Sequence, residues 1–268
     1  MIKIVAAMCV AGDPAYFRFA SHSIPSFLQN NIDTDFYVFT DKPTEIEKHL
    51  HLSKRLGIVN VENYFNSHPE EIDKLKRGGL TKEDMRKYKE TFGYVFRDVF
   101  PAAMPPMAEE MLKNKGYTHI LKIDSEGYFA GGDMMAMLKA EVLNKPHIEV
   151  FLVERRHPLM HHHGGGVPGS GFTLWRIGSK FVSEYIRSFN GNQQVTILAM
   201  RFSHKVVIEI LTRPGYHFVR PFWKAKQAGK EFTKEMASSF LPAYFHLHGQ
   251  IALEGFARME EWFGETSK

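Results

Sequence analysis

The stretch KGYTHILKIDSEGYFAGG, residues 115–132, decides the predicted fold. Its short apolar run, residues 119–123, follows a helix-like segment and is typical of a buried strand. Asp124 and Glu126 come next, one residue apart, and carboxylates held that close destabilise each other unless a cation neutralises them. Ligands bind at the carboxyl ends of strands in open α/β sheets, and Mg²⁺ or Mn²⁺ prefers carboxylate oxygens. The stretch therefore predicts a site for a metal and a phosphate, with a turn of solvated acids as the alternative.

The composition predicts one globular domain with a small-molecule ligand. The chain has 268 residues, 44% of them hydrophobic, which is enough for a sizeable core. Its net charge of +4 is spread along the chain, which favours an anionic small ligand and does not indicate nucleic acid. Cys9 is the single cysteine, so no disulfide forms within the chain and we expect a reducing, cytoplasmic compartment.

No transmembrane segment is predicted, because no apolar stretch approaches the ~20 residues that a spanning helix needs. The apolar N-terminus passes straight into polar chain, which favours a first strand over a signal peptide. No motif indicates an oligomeric state.

The first part of the chain predicts a parallel sheet. Apolar, β-branched runs at residues 2–10, 35–41 and 57–61 are typical of buried strands, and residues 16–30 and 44–56 between them have helical spacing. This βαβαβ order indicates a parallel α/β sheet with right-handed crossovers.

The connection from the third strand to the quoted stretch is harder to predict. Residues 66–89 are polar and are expected to lie on the surface, with Arg77 reaching toward a phosphate as the functional alternative. Residues 91–115 are expected to be helical but interrupted at Pro101 and Pro105, because proline lacks the N–H that a helix interior uses.

The second half of the chain continues to alternate helices and strands. We predict helices over residues 133–143, 179–189, 192–201 and 251–263, and strands over residues 148–153, 169–177 and 206–211. The three consecutive histidines at 161–163 do not predict a zinc site, because neighbouring side chains point in different directions.

Short motifs at strand ends and helix starts follow one another along nearly the whole chain. They are Gly12-Asp13-Pro14-Ala15-Tyr16 with the serines of 21–26, Asp41, Asp124-Ser125-Glu126, Gly169-Ser170-Gly171-Phe172, Asn192-Gln193-Gln194 and His246-Leu247-His248-Gly249. In this order they resemble the GT-A type nucleotide-sugar glycosyltransferases, most closely the layout of glycosyltransferase family eight. The resemblance implies a mixed, mostly parallel central sheet flanked by helices.

The resemblance also implies roles for these residues. A Mn²⁺ or Mg²⁺ ion would be held by Asp124, Glu126 and His246, and the imidazole favours Mn²⁺. The expected catalytic residues are Asp124 and Gln193. Those expected at the donor are Asp13, Tyr16 and Asp41 around the nucleoside, and Gly169, Ser170 and Gly171 around the sugar.

The implied activity is transfer of a sugar, with retention of anomeric configuration, from a nucleotide sugar to a glycan or other hydroxyl acceptor. UDP is the nucleotide that the resemblance favours. The whole chain, 1–268, would form one catalytic domain, with a nucleotide-binding half at 1–130 and an acceptor-binding half at 131–268.

Three departures from the family pattern leave other functions open. Glu126 stands where the family usually has Asp, the acid before Gln193 is absent, and the lysine of a Lys-Pro-Trp motif that binds diphosphate is missing. A noncatalytic nucleotide-sugar-binding module is therefore one alternative. A sugar-phosphate nucleotidyltransferase is another, although the chain lacks the basic glycine-rich loop that such enzymes place after their first strand.

Several candidate residues also have a purely structural interpretation. In this interpretation Asp41 caps the next helix, and Tyr16 faces the core. Gln193 simply begins a helix, and His246 and His248 are ordinary surface residues.

Overall fold

Two β-sheets organise the protein. The computed structural model describes residues 1–11, 14–49, 53–77, 99–154, 168–189, 193–213, 215–216, 218–247 and 251–264. Within these ranges a seven-stranded sheet has the order β3-β2-β1-β4-β7-β6-β8, and a three-stranded sheet has the order β5-β10-β9.

The first half of the large sheet is parallel, as the βαβαβ pattern predicted. Its strands are β1 (Ile4–Cys9), β2 (Phe36–Thr40), β3 (Leu56–Asn60) and β4 (His119–Ile123), and the first two crossovers are α1 (Pro14–Asn30) and α2 (Pro43–His49). Ala6 of β1 pairs with Phe36 of β2 on one side and with Leu121 of β4 on the other. Strand β1 is therefore central, and its nearly continuous apolar sequence reflects cover on both faces.

The polar segment after β3, for which only a surface position had been predicted, is helical up to residue 77. It forms α3 (Glu62–Ser67) and α4 (Pro69–Arg77). Ile72 and Leu75 of α4 are each 3% exposed, because their spacing of three residues places both on the face that packs inward. Residues 78–89 lie outside the described ranges.

The prediction that prolines interrupt the helix before β4 was wrong. Helix α5 (Val99–Leu112) runs without interruption through Pro105 and Pro106. Pro101 lies in its first turn. Backbone N–H groups there have no carbonyl acceptor within the helix, so the N–H that proline lacks is not needed. Farther along, Met104 and Met107 are fully buried, and we infer that this tertiary packing outweighs the hydrogen bonds that the two later prolines remove.

The second half of the large sheet contains one reversed strand. Its elements are α6 (Met134–Asn144), β6 (Val150–Glu154), β7 (Pro168–Arg176), α7 (Phe181–Ser188), α8 (Gln193–Phe202) and β8 (Ile208–Leu211). Strand β7 runs antiparallel to both of its neighbours, β4 and β6, whereas β6 and β8 are parallel to each other.

The small sheet was not predicted. It consists of β5 (Gly127–Ala130), β9 (Phe218–Val219) and β10 (Ala243–His246), and it is accompanied by α9 (Pro221–Gln227), α10 (Lys234–Ser238) and α11 (Ala252–Phe263). Strand β5 starts immediately after Glu126 and pairs antiparallel with β10. The turn at residues 124–126 therefore joins the two sheets.

Hydrophobic clusters cover both faces of the large sheet. Alternate residues of β1 belong to different clusters, with Ala6 and Met8 on one face and Val5 and Ala7 on the other. The described residues include no helix with both the length and the apolar character that crossing a bilayer requires.

Candidate functional site

The candidate site lies where the order of the strands reverses. The chain moves outward from β1 through β2 to β3 and then returns to the other side of β1 as β4. In open α/β sheets, ligands bind beside the carboxyl ends of strands at such a reversal. Asp124 directly follows β4 and Asp41 directly follows β2. Asp13, predicted to follow β1, lies outside the described ranges.

Backbone hydrogen bonds from two other strands hold the acidic turn in place. Asp124 donates its N–H to the carbonyl of Gly171 at 3.1 Å, and Leu247 donates its N–H to the carbonyl of Glu126 at 2.8 Å. The Tyr244 hydroxyl donates to the carbonyl of Asp124 at 2.9 Å. Burial and the carboxylates of Asp124 and Glu126 raise the pKa of Tyr244 well above its usual value, so the hydroxyl stays protonated and can donate.

His246 brings a nitrogen donor to the two carboxylates. The antiparallel pairing of β10 with β5 places His246 opposite Gly127, one residue beyond Glu126. Its Nε2 lies 3.4 Å from Glu126 Oε2 and 3.9 Å from Asp124 Oδ2. The imidazole side chain is only 6% exposed. The structure therefore brings together the three side chains that were predicted as metal ligands.

The chemistry of these three side chains fits a divalent metal. Two atoms that are each about 2.1 Å from one ion lie about 3–4 Å apart, which is the range of the two separations through His246. As they stand, the His, Cys, Asp and Glu side chains of the described ranges form no cluster of three or more that could hold an ion. Binding would therefore include a reorientation of Asp124 or Glu126.

Gly171 provides the space beside these ligands. A Cβ atom at this position would overlap Asp124 Oδ2 and would lie 3.5 Å from His246 Cε1. The resemblance predicted Gly171 near the donor sugar, and the structure shows why a glycine is needed at this position: any side chain would displace the Asp124 carboxylate.

Lys122 is a site residue to which the sequence analysis assigned no role. It lies in β4, its side chain is 3% exposed, and its Nζ is 2.9 Å from Asp124 Oδ1. A charged residue inside a buried strand needs a partner, because an isolated ion is costly to remove from water. The signal in the sequence was the lysine that interrupts the apolar run HILKI.

The neighbouring end of β1 contributes a cysteine that is not activated. Burial raises the pKa of the Cys9 thiol to about 12; the Lys122 ammonium acts in the opposite direction, and the carboxylates of Asp41 and Asp124 add to the increase. The thiol is therefore protonated at neutral pH. Asp41 and Asp124, which follow the two strands that flank β1, both act on Cys9, the last residue of β1.

The remaining predicted residues have mainly structural contacts in the described ranges. Tyr16 is half-buried and its ring meets that of Phe19 edge-on, with centroids 6.1 Å apart. Gln193 is the first residue of α8 and donates from Nε2 to the carbonyl of Pro101 at 3.5 Å. It also hydrogen-bonds to Tyr185, a buried tyrosine of α7. The predicted catalytic role of Gln193 stays a prediction.

The other candidate residues are only partly described. Arg77 ends α4, but its side chain is not among the described ones. Gly169 and Ser170 belong to β7, two residues and one residue before Gly171. His248 lies outside the described ranges.

The serines of α1 have a supporting role. Ser26 accepts a hydrogen bond at Oγ from the N–H of Phe129 at 3.1 Å, and Asn30 donates from Nδ2 to the carbonyl of Phe129 at 3.1 Å. Helix α1 thereby fixes β5, the strand that follows the acidic turn. The serines were predicted by resemblance, whereas no motif in the sequence indicated Asn30.

Comparisons with known proteins show a likeness in fold but not in sequence. No family model matches the chain, and no curated protein matches it by sequence. The crystal structure of mouse xyloside xylosyltransferase 1 in its apo form matches it with a TM-score of 0.55 and 8% sequence identity, over 93% of this chain and 98% of that one. The likeness and the sheet topology confirm the predicted fold: a GT-A-like, mostly parallel central sheet flanked by helices. Membership of glycosyltransferase family eight stays a prediction.

Proposed function

We propose that the protein is a metal-dependent glycosyltransferase that moves a sugar from a nucleotide-sugar donor to a hydroxyl of a saccharide acceptor. The observation that carries this proposal is the meeting of Asp124, Glu126 and His246 at the carboxyl end of β4. This meeting point lies at the strand reversal where α/β folds bind ligands. A neighbour of similar fold is a xylosyltransferase, which supports this class of reaction.

Asp124, Glu126 and His246 would hold Mn²⁺ or Mg²⁺. When bound, such an ion neutralises negative charge on the departing diphosphate. Tyr244 holds the backbone of Asp124 in place, and Gly171 leaves room for its carboxylate. The chain's own contribution is thus a turn with an anchored backbone that holds two carboxylates and an imidazole close together, so that only a carboxylate has to reorient for all three to reach an ion.

The finer assignments are part of the same proposal. UDP as the nucleotide, retention at the anomeric carbon and the division into halves 1–130 and 131–268 come from the family resemblance. Asp13, Tyr16 and Asp41 are proposed for the nucleoside, and Gly169, Ser170 and Gln193 for the sugar. A cytoplasmic location is proposed from the single cysteine.

A noncatalytic nucleotide-sugar-binding protein is the second candidate. The observation in its favour is the contact between Lys122 and Asp124, since a cation already neutralises one of the proposed metal ligands. Such a protein would bind a nucleotide sugar and release no nucleotide from it.

Thermal unfolding tests the donor site. Wild-type protein is heated with UDP-, GDP-, CMP- and dTDP-sugars, each with and without Mn²⁺. A ligand at 100 times its dissociation constant adds about 2.7 kcal/mol of stability. We expect a Mn²⁺-dependent increase with one nucleotide class that is absent in Asp124→Asn and retained in Asp33→Asn. Asp33 is an exposed residue before β2 and serves as the matched control.

The donor identified in this way then enters a transfer assay. Release of the nucleotide in the presence of saccharide acceptors supports the enzyme, whereas binding without release supports the second candidate. NMR of the product's anomeric proton decides between retention and inversion. Absence of any nucleotide-dependent stabilisation would refute both candidates.

A further inference from the structure

A lysine occupies the middle of the buried strand that carries the candidate site. All five residues of β4 are buried, and Lys122 is 3% exposed. It pairs with Ala7 of β1 on one side and with Thr173 of β7 on the other, so no solvent-facing edge is close to its backbone. Placing an ammonium group there is costly unless an anion compensates.

The compensating anion is Asp124. Residues two apart on an extended strand point to the same face, so the side chains of Lys122 and Asp124 lie together. The Nζ–Oδ1 distance of 2.9 Å is that of a charge-assisted hydrogen bond. Asp124 Oδ2, the other oxygen of the same carboxylate, is the one 3.9 Å from His246 Nε2. The carboxylate thus lies between a fixed cation and the proposed metal position.

The charges of this cluster determine how strongly it attracts a free metal ion. Among the carboxylates and the ammonium, Asp124 and Glu126 contribute two negative charges and Lys122 one positive charge. The net charge is therefore −1, whereas it would be −2 without the lysine. A positive charge a few ångströms from a divalent ion opposes its binding, and the effect is stronger at a partly buried site than in water.

We propose that Lys122 is a built-in counter-cation of Asp124 that weakens binding of free divalent metal, so that the metal binds together with the anionic nucleotide rather than before it. This inference rests on the proposed function. A diphosphate adds the negative charge that Lys122 removes, and this restores the attraction for the ion. Lys122 is accordingly a positioning residue, which acts through Asp124.

Direct titration with Mn²⁺ tests the proposal, with the EPR signal of the free ion as the readout. The proteins are wild type, Lys122→Met, Lys122→Arg and Lys205→Met, each with and without UDP. Lys205 is an exposed lysine between α8 and β8 and is the matched control. Near-UV circular dichroism verifies the native packing of each variant.

We expect UDP to tighten Mn²⁺ binding to the wild type at least tenfold. Lys122→Met binds Mn²⁺ alone at least tenfold more tightly than the wild type, and UDP then adds little. Lys122→Arg and Lys205→Met behave like the wild type, because both retain a cation at position 122.

Two results would overturn the inference. One is that the Lys122→Met variant keeps its native packing but binds Mn²⁺ no more tightly than the wild type does. The other is a wild type that binds Mn²⁺ equally well with and without UDP, and this measurement decides the matter even where Lys122→Met does not fold. In either case a Mn²⁺-dependent stabilisation of the wild type by a nucleotide sugar leaves the proposed function intact. If no nucleotide sugar stabilises the wild type, the proposed function fails and the inference fails with it.

Discussion

Replacing His119, the first residue of β4, with glutamine should make the protein more resistant to acid. His119 is 5% exposed, and its Nδ1 lies 2.9 Å from Thr118 Oγ1. Burial and the positive charge of Arg176 lower the pKa of His119 from 6.5 to about 4. The folded protein therefore keeps this imidazole neutral at pH values where the unfolded chain protonates it.

The sign and size of the effect follow from proton linkage. Above about pH 6.5 the residue is neutral in both states and does not alter the free energy of unfolding. As the pH falls from 6.5 toward 4, the unfolded chain binds a proton that the folded protein does not, so stability decreases. The two pKa values give a loss of about 2 kcal/mol at pH 5, and about 1 kcal/mol once solvent screening is allowed for.

Urea denaturation at pH 8 and pH 5 measures the difference. His119→Gln is expected to lose about 1–2 kcal/mol less stability than the wild type between these two values. His147→Gln, which changes an exposed histidine between α6 and β6, should lose as much as the wild type. An equal loss in His119→Gln and the wild type would refute the reasoning.

Three further substitutions test the site and its support. Gly171→Ala should weaken Mn²⁺-dependent nucleotide binding, measured by calorimetry, at least tenfold, because the new methyl group displaces the Asp124 carboxylate. Ser26→Ala should lower the free energy of unfolding by about 1–3 kcal/mol in urea titrations, because it leaves the buried N–H of Phe129 without its acceptor. Tyr244→Phe should cost about 1–2 kcal/mol by the same measurement and weaken nucleotide binding, because the carbonyl of Asp124 loses its donor.

Matched control variants distinguish these effects from a nonspecific loss of stability. Ser21→Ala removes an exposed hydroxyl that donates within its own helix turn, to the carbonyl of Arg18, and should cost less than Ser26→Ala. Tyr128→Phe alters another buried tyrosine of the small sheet and should leave nucleotide binding unchanged. Unchanged nucleotide binding in Gly171→Ala, or equal costs for the two serine variants, would contradict the assigned contacts.

Hydrophobic periodicity explains why the parallel half of the sheet could be predicted. Strands covered on both faces have nearly continuous apolar sequences, and the helices between them show a different spacing. The same periodicity predicted that Asp124 and Glu126 follow a buried strand, which the structure confirms. It failed at Pro105 and Pro106, where local propensity predicted a break and packing of α5 against the sheet kept the helix continuous.

The small sheet escaped prediction because its strands are short. Strand β9 has two residues, and β5 and β10 have four each, which is too few for a periodic pattern. As a result the sequence could name His246 only by resemblance and had no means of identifying Tyr244 as the residue that anchors the turn.

The sequence alone determined the parallel α/β class and the strand that ends in two acids, because both depend on the local order of apolar and polar residues. The tertiary structure alone decided which side chains meet those acids. Tyr244 and Asp124 are 120 residues apart in the chain, and only the pairing of β10 with β5 brings them together. The contact between Lys122 and Asp124 likewise depends on burial of β4 between β1 and β7, since an exposed lysine would extend into water.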